Sequence, residues 1–109
     1  MLTLCDWEMA LAAYAYEVHD ESIMTDYSYD ILGRYAMARG TELPGFGSDT
    51  GQWVYGMDQA LMELLWDVAQ HNRDAKGYVH MPAIEAALRQ YGVALACCHG
   101  DYNCWDEVI

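Results

Sequence analysis

Residues 57–92, MDQALMELLWDVAQHNRDAKGYVHMPAIEAALRQYG, decide the fold that the sequence predicts. Leu61 and Leu65 belong to an apolar stripe at helical spacing, with acidic and amide side chains on another face, which indicates an amphipathic helix. A second helix is expected to begin near Pro82, which the first turn of a helix tolerates, and to end at Gly92. The stretch therefore predicts two helices joined by a short polar turn.

The turn between these helices resembles the calcium loop of an EF-hand. Asn72 and Asp74 match its first and third ligand positions, and Gly77 matches its bend. The chain departs from the family pattern where the chemistry lies, since Lys76 stands at a ligand position and Ala83 replaces the bidentate carboxylate. An ammonium group repels a cation, and the missing carboxylate removes two oxygens. The resemblance therefore implies a helix-loop-helix joint without metal.

Two further helices are predicted in the first forty residues. One apolar face steps by three and four residues and consists of Leu4, Trp7, Leu11, Tyr14 and Val18. Residues 26–39 form a shorter helix, in which we expect Ile31, Tyr35 and Ala38 to face inward.

The remaining segments are loops or are ambiguous. Glycines and Pro44 make residues 41–56 a long loop by composition. Residues 93–98 are too short for periodicity to decide between a strand and a continued helix. The predicted fold is therefore mainly α, a compact bundle of about four helices with one long Gly-rich loop, and a short C-terminal strand is one of the two alternatives for residues 93–98. From the length of 109 residues we expect a single domain, residues 1–109.

The charge of the chain is strongly negative and unevenly distributed. The formal net charge is −12, from 17 acidic and five basic residues. Residues 1–33 contain acids and no Lys or Arg, whereas every base lies within residues 34–92. A field of this sign repels nucleic acid and anionic membranes and attracts basic surfaces. We therefore expect no direct binding to nucleic acid or membrane, and a protein partner with a basic surface.

The aromatic residues favour a protein interface. Nine Tyr and four Trp stand against a single Phe, and Tyr and Trp are enriched at interfaces because they combine apolar area with a polar tip. Tyrosines and carboxylates occur together on the first two predicted helices. The candidate partner-binding residues are Asp6, Glu8, Tyr16, Glu17, Asp20, Glu21, Asp26, Tyr27 and Asp30.

Catalytic and metal-binding signatures are not apparent. The four histidines are scattered, and no nucleophile has an evident base, so we expect no enzyme activity and no cofactor. No leader-like stretch opens the chain, so a cytoplasmic location with free thiols is expected. A zinc site remains an alternative, although the spacing fits none of the common paired-ligand patterns; its ligands would be Cys97, Cys98, His99 and Cys104.

In size, acidity and aromatic content the chain is similar to phage and plasmid inhibitors of host defence nucleases, the anti-CRISPR and anti-restriction proteins. The similarity is compositional and rests on no motif. It implies an inhibitor that occludes a basic, nucleic-acid-binding site on a partner such as a nuclease, in the host cytoplasm if the chain is phage-encoded. The alternative is a metal-independent EF-hand-like adaptor or a self-associating domain, such as a homodimer, whose interface is the helix face of Leu61 and Trp66.

Overall fold

The computed structural model describes residues 2–40, 43, 51–75 and 77–96. Within these residues the chain forms four α-helices, with a short 3₁₀ helix at Gly51–Gly56 ahead of the third. The helices are α1 (Leu4–His19), α2 (Asp26–Arg39), α3 (Gln59–His71) and α4 (Met81–Tyr91). The described part contains no strand, only single β-bridges. The prediction of a mainly α bundle of about four helices is confirmed.

Helix α1 lies at the centre of the fold. Every residue from Thr3 to Ala15 is buried except Glu8, which is partly buried. Helix α2, helix α3 and the 3₁₀ helix all pack against α1, and α4 packs against α3. Small side chains allow these neighbours to approach the helix closely, since four buried positions are alanines: Ala10, Ala12, Ala13 and Ala15.

Helix α2 docks on α1 through a face that differs from the predicted one. Leu32 and Ala36 are buried in a small cluster with Cys5 and Met9 of α1, and Tyr29 packs against it. Both sets of α2 residues recur at helical spacing, so periodicity alone does not choose between them.

The prediction that three other residues of α2 face inward is therefore wrong. Ile31 and Tyr35 are only partly buried, and Ala38 is exposed. The buried face is rotated by one residue, because it is the contact with α1 that decides which apolar positions leave water.

Helices α3 and α4 form the predicted helix pair. Pro82 lies in the first turn of α4, and Gly92 ends that helix with φ +98°, a backbone conformation suited to glycine. Leu61 and Trp66 of α3 are buried in the main hydrophobic core. The helix face assigned to the adaptor alternative is therefore already covered within the molecule, which contradicts that interface.

The turn between α3 and α4 is closed by its own hydrogen bonds. Arg73 and Val79 form an antiparallel bridge. The Asp74 carboxylate accepts a hydrogen bond from the Tyr78 N–H (3.0 Å), and the Asn72 side chain donates to the Val68 carbonyl (2.8 Å). The two residues at EF-hand ligand positions thus bond to the surrounding backbone. Lys76, which stands at another ligand position of the EF-hand pattern, lies outside the described residues.

The described chain ends beside its own beginning. The Ala96 N–H donates to the Leu2 carbonyl (2.9 Å), and Ala96 forms a parallel bridge with Thr3. Residues 93–95 have no regular secondary structure, so this end is neither a strand nor a continuation of α4 as far as Ala96. The alternative zinc ligands, Cys97, Cys98, His99 and Cys104, lie outside the described residues, as does most of the predicted Gly-rich loop.

Cys5 corrects the expectation of free thiols, since it is disulfide-bonded. It lies in the first turn of α1 and is buried. The pairing of Ala96 with Leu2 and Thr3 brings a later part of the chain to this turn, a proximity that the sequence does not reveal.

No helix in the described ranges has the length and apolar character that a membrane span requires.

Candidate partner-binding surface

Of the nine candidate residues, one is buried and a second is partly buried with a shielded carboxyl group. Asp6 is 3% exposed and belongs to a capping box at the start of α1. Its carboxylate accepts a hydrogen bond from the Thr3 N–H (2.8 Å), and its own N–H donates to the Thr3 hydroxyl (3.1 Å). A carboxylate used in this way stabilises the helix and is withheld from a partner. Asp6 is therefore reassigned to a structural role.

Glu8 is the candidate acid that is partly buried. One oxygen of its carboxyl group, Oε1, is buried and has no hydrogen-bond partner among the residues that the structure describes. Burial raises the pKa of Glu8 to about 7, because a low-dielectric environment disfavours the charged form. Glu8 is thus a mostly buried carboxyl group in the central helix, and its contribution to a surface field is reduced.

The other seven candidates lie between residues 16 and 30, over the end of α1, the connection and the start of α2. Tyr16 is 63% exposed and Tyr27 is 74% exposed. Glu17 is partly buried, and the remaining four, Asp20, Glu21, Asp26 and Asp30, are exposed. These seven residues therefore lie on one continuous segment, which runs from the end of α1 through the connection to the start of α2.

Two of these acids have basic partners. Asp30 pairs with Arg34 one turn later on α2 (3.0 Å), and Glu21 pairs with Arg73 (3.2 Å). Asp20 and Asp26 have no ion pair among the described residues. Asp26 also lies in the first turn of α2, where its charge favours the helix.

The end of α1 is held to α3 by a group of four side chains. Tyr14 donates a hydrogen bond to Oε2 of Glu63, and His19 Nε2 lies 3.0 Å from the same oxygen. The imidazole of His19 stacks on Trp66, with ring centroids 4.4 Å apart. The bonds from Tyr14 and His19 lower the pKa of Glu63, and burial together with Glu63 raises the pKa of Tyr14 to about 12.

The connection between α1 and α2 is held to the α3–α4 turn by Arg73. Its Nε donates to the Gly77 carbonyl (3.0 Å), while its terminal nitrogens donate to Oε2 of Glu21 and to the Ser22 carbonyl (both 3.2 Å). A cavity of about 370 Å³ lies here, lined by Ser22, Ile23, Met24, Thr25, Arg73, Gly77 and Tyr78. The first half of the acidic connection is thus attached to α3 and to the α3–α4 turn.

Sequence reasoning missed these attachments. His19 and Glu63 are 44 residues apart, and Arg73 and Glu21 are 52 apart, so no local pattern links them. In the part of the chain that the structure describes, no three His, Cys, Asp or Glu side chains are grouped to hold a metal ion.

Comparison with protein-family models, with curated proteins and with solved structures finds no match to this chain.

Proposed function

We propose that this chain is a small acidic inhibitor that occludes a basic, nucleic-acid-binding site on a partner protein. The observation that carries the proposal is the exposed start of α2. Tyr27 is 74% exposed there and is flanked by the exposed acids Asp26 and Asp30. Exposed aromatic area beside carboxylates suits a partner whose surface is rich in Lys and Arg.

The mechanism is competitive and needs no catalysis. Carboxylates at the end of α1 and the start of α2 take the place of phosphates opposite basic side chains of the partner. Tyr16 and Tyr27 contribute the contact area, and the net charge of −12 accelerates the encounter. Residues 34–92, which hold all five bases, then support this surface rather than form it. The proposed location is the cytoplasm, where nucleic-acid-binding partners of this kind occur.

The first experiment identifies a partner and measures how salt affects binding. Tagged protein is immobilised, a cell lysate is applied, and bound proteins are eluted with a salt gradient and identified by mass spectrometry. The purified partner is then titrated at 50 mM and at 500 mM salt, with and without duplex DNA or RNA. We expect Kd to rise roughly tenfold or more between the lower and the higher salt concentration, because salt screens exposed ion pairs. We also expect nucleic acid to compete for the site.

The second experiment locates the surface. A triple variant, Asp26→Asn, Tyr27→Ala and Asp30→Asn, removes two charges and one exposed aromatic side chain. Loss of an interface aromatic residue with its charges is expected to weaken binding by about tenfold or more. The matched control is Asp67→Asn, an exposed acid on α3 that lies outside the proposed surface. Equal affinity at both salts, or equal effects of the triple variant and the control, would reject the proposed function.

A further inference from the structure

One face of α2 points away from the rest of the protein, because the opposite face is buried against α1. The outward residues step by three, four and three along the helix and are Tyr27, Asp30, Arg34 and Met37. Tyr27 is 74% exposed and Met37 is 59% exposed. The side chains of Asp30 and Arg34 are 63% and 79% exposed. These four residues are called the outer stripe of α2.

The outer stripe is complementary to a second copy of itself. Its members are, in order, apolar, acidic, basic and apolar, and they lie symmetrically about position 32. Asp30 and Arg34 are each two residues from that position, and Tyr27 and Met37 are each five residues from it. When two copies of α2 pack antiparallel about a two-fold axis there, Asp30 of each copy meets Arg34 of the other. Each Tyr27 then lies against a Met37.

The apolar ends of the outer stripe supply the contact area. Tyr27 is the most exposed large hydrophobic side chain among the described residues, and only Tyr16 stands between it and Met37 in this respect. A methionine sulfur also packs favourably on an aromatic ring. The two ends lie about 15 Å apart along the helix. One helix pair makes a small interface, so we expect a dimer Kd on the order of 10–100 μM.

We propose that the outer stripe of α2 is a self-association surface, through which two copies of the chain form an antiparallel, two-fold symmetric dimer. The inference does not rest on the proposed function, because it follows from the complementarity of α2 with itself. Tyr27 and Asp30 belong to both surfaces. The dimer therefore covers part of the partner-binding surface, and self-association and partner binding exclude each other. Arg34 and Met37 belong to the dimer contact alone.

Salt acts on the dimer and on the partner complex in opposite directions. Each copy has a net charge of −12, so two copies repel each other at long range. The exposed pairs between Asp30 and Arg34 contribute little affinity and mainly fix the register. Added salt screens the long-range repulsion. The Kd of the dimer is therefore expected to fall as salt rises, whereas the Kd of a basic partner rises.

The first test measures self-association directly. Sedimentation velocity of the purified chain is recorded from about 10 μM to about 500 μM protein, a range that spans the expected Kd, in low and in high salt. A reversible monomer–dimer equilibrium that is stronger in high salt is expected. A chain that stays monomeric at the highest protein concentration in high salt would overturn the proposal.

The second test exchanges the charges of the outer stripe. Asp30→Arg sets base against base and Arg34→Asp sets acid against acid, so each variant alone is expected to raise the dimer Kd by about tenfold or more. Mixed in equal amounts, the two variants restore opposite charges at both contacts, and a heterodimer with a Kd near that of the wild type is expected. A mixture that associates no better than the separate variants would refute the antiparallel register.

Net charge is controlled within the same pair of variants. Asp30→Arg makes the chain less negative, so an effect of overall repulsion alone would strengthen its self-association. Stronger self-association of Asp30→Arg would therefore contradict the contact between Asp30 and Arg34. Circular dichroism of each variant checks that the helices are retained, as expected for exposed positions.

The third test separates the dimer from the partner-binding surface. Met37→Ala removes apolar area from both ends of the dimer contact and is expected to raise the dimer Kd by about tenfold. The matched control is Tyr91→Ala, an exposed residue of α4, which should leave the Kd within about twofold. Affinity for a partner should be unchanged in Met37→Ala. Equal dimer Kd values for Met37→Ala and the wild type would contradict the outer stripe as the contact.

Discussion

His19 and Trp66 stack face to face, with ring centroids 4.4 Å apart and planes inclined by 9°. His19 is the last residue of α1, and Trp66 lies within α3. The same imidazole contacts Glu63 on α3 (3.0 Å), which also accepts a hydrogen bond from Tyr14. The connection to α2 begins directly after His19, so this stack determines where the acidic segment leaves the body of the protein.

Replacement of His19 by Ala is expected to lower the free energy of unfolding by about 1–2 kcal/mol, because an aromatic stack and a hydrogen bond are lost together. Urea denaturation measures the change. The control is His71→Ala, since the His71 side chain is mostly exposed and its contacts with Asp67 stay within α3. That change should stay within about 0.5 kcal/mol. Similar losses in both variants would show that the stack contributes nothing.

Asp6→Ala is expected to destabilise the protein by about 1–2 kcal/mol, because the buried Thr3 N–H loses its acceptor. Thermal or urea unfolding measures this loss. Partner binding at a temperature where the variant is folded should be unchanged. The control is Asp67→Ala, which removes an exposed acid from α3 and is expected to cost less than about 0.5 kcal/mol. A stable Asp6→Ala variant with weakened partner binding would contradict the structural role of Asp6.

Glu8 predicts a pH dependence of stability. Its folded-state pKa of about 7 lies above the ordinary value of 4.5, so the folded protein holds this proton more tightly than the unfolded chain. The stabilisation is fully present below pH 4.5 and is lost as pH rises through 7. Glu8→Gln mimics the protonated form, and its stability should equal that of the wild type near pH 4 and exceed it at pH 8 by up to roughly 3 kcal/mol. Urea denaturation at both pH values checks this; a constant difference across that range would be the contrary result.

Arg73→Lys tests the attachment of the connection to the α3–α4 turn. One ammonium group does not reproduce the geometry with which the guanidinium donates to Glu21, Ser22 and Gly77. We expect a loss of about 1–2 kcal/mol in the free energy of unfolding and faster amide exchange in residues 20–25. The control is Arg34→Lys, because Arg34 is exposed and, within the described ranges, pairs with Asp30 of its own helix. Unchanged exchange in residues 20–25 would argue against the attachment.

The positions of the helices follow from local signals that the sequence contains. Apolar spacing of three and four residues, the early proline of α4 and its terminal Gly92 predicted the helix boundaries closely. These signals act through backbone dihedral angles and hydrogen bonds within a few residues, which is why a single sequence determines them. The mainly helical architecture was predictable for the same reason.

The candidate surface was only partly predictable. The segment from Tyr16 to Asp30 is largely exposed, as a surface requires, but Asp6 is buried and Glu8 is partly buried. Their spacing on α1 resembles that of the exposed acids, so only the burial of the whole first half of α1 separates the two groups.

By itself the sequence determined the four helices, their ends and the distribution of charge along the chain. Only the tertiary structure decided that α1 is central, that α2 docks through Leu32 and Ala36, and that Cys5 is oxidised. It also decided the contacts of His19 with Glu63 and of Arg73 with Glu21. The physical reason is one of range: helix formation depends on neighbours within about four residues, whereas burial and cross-linking depend on which distant segments pack together.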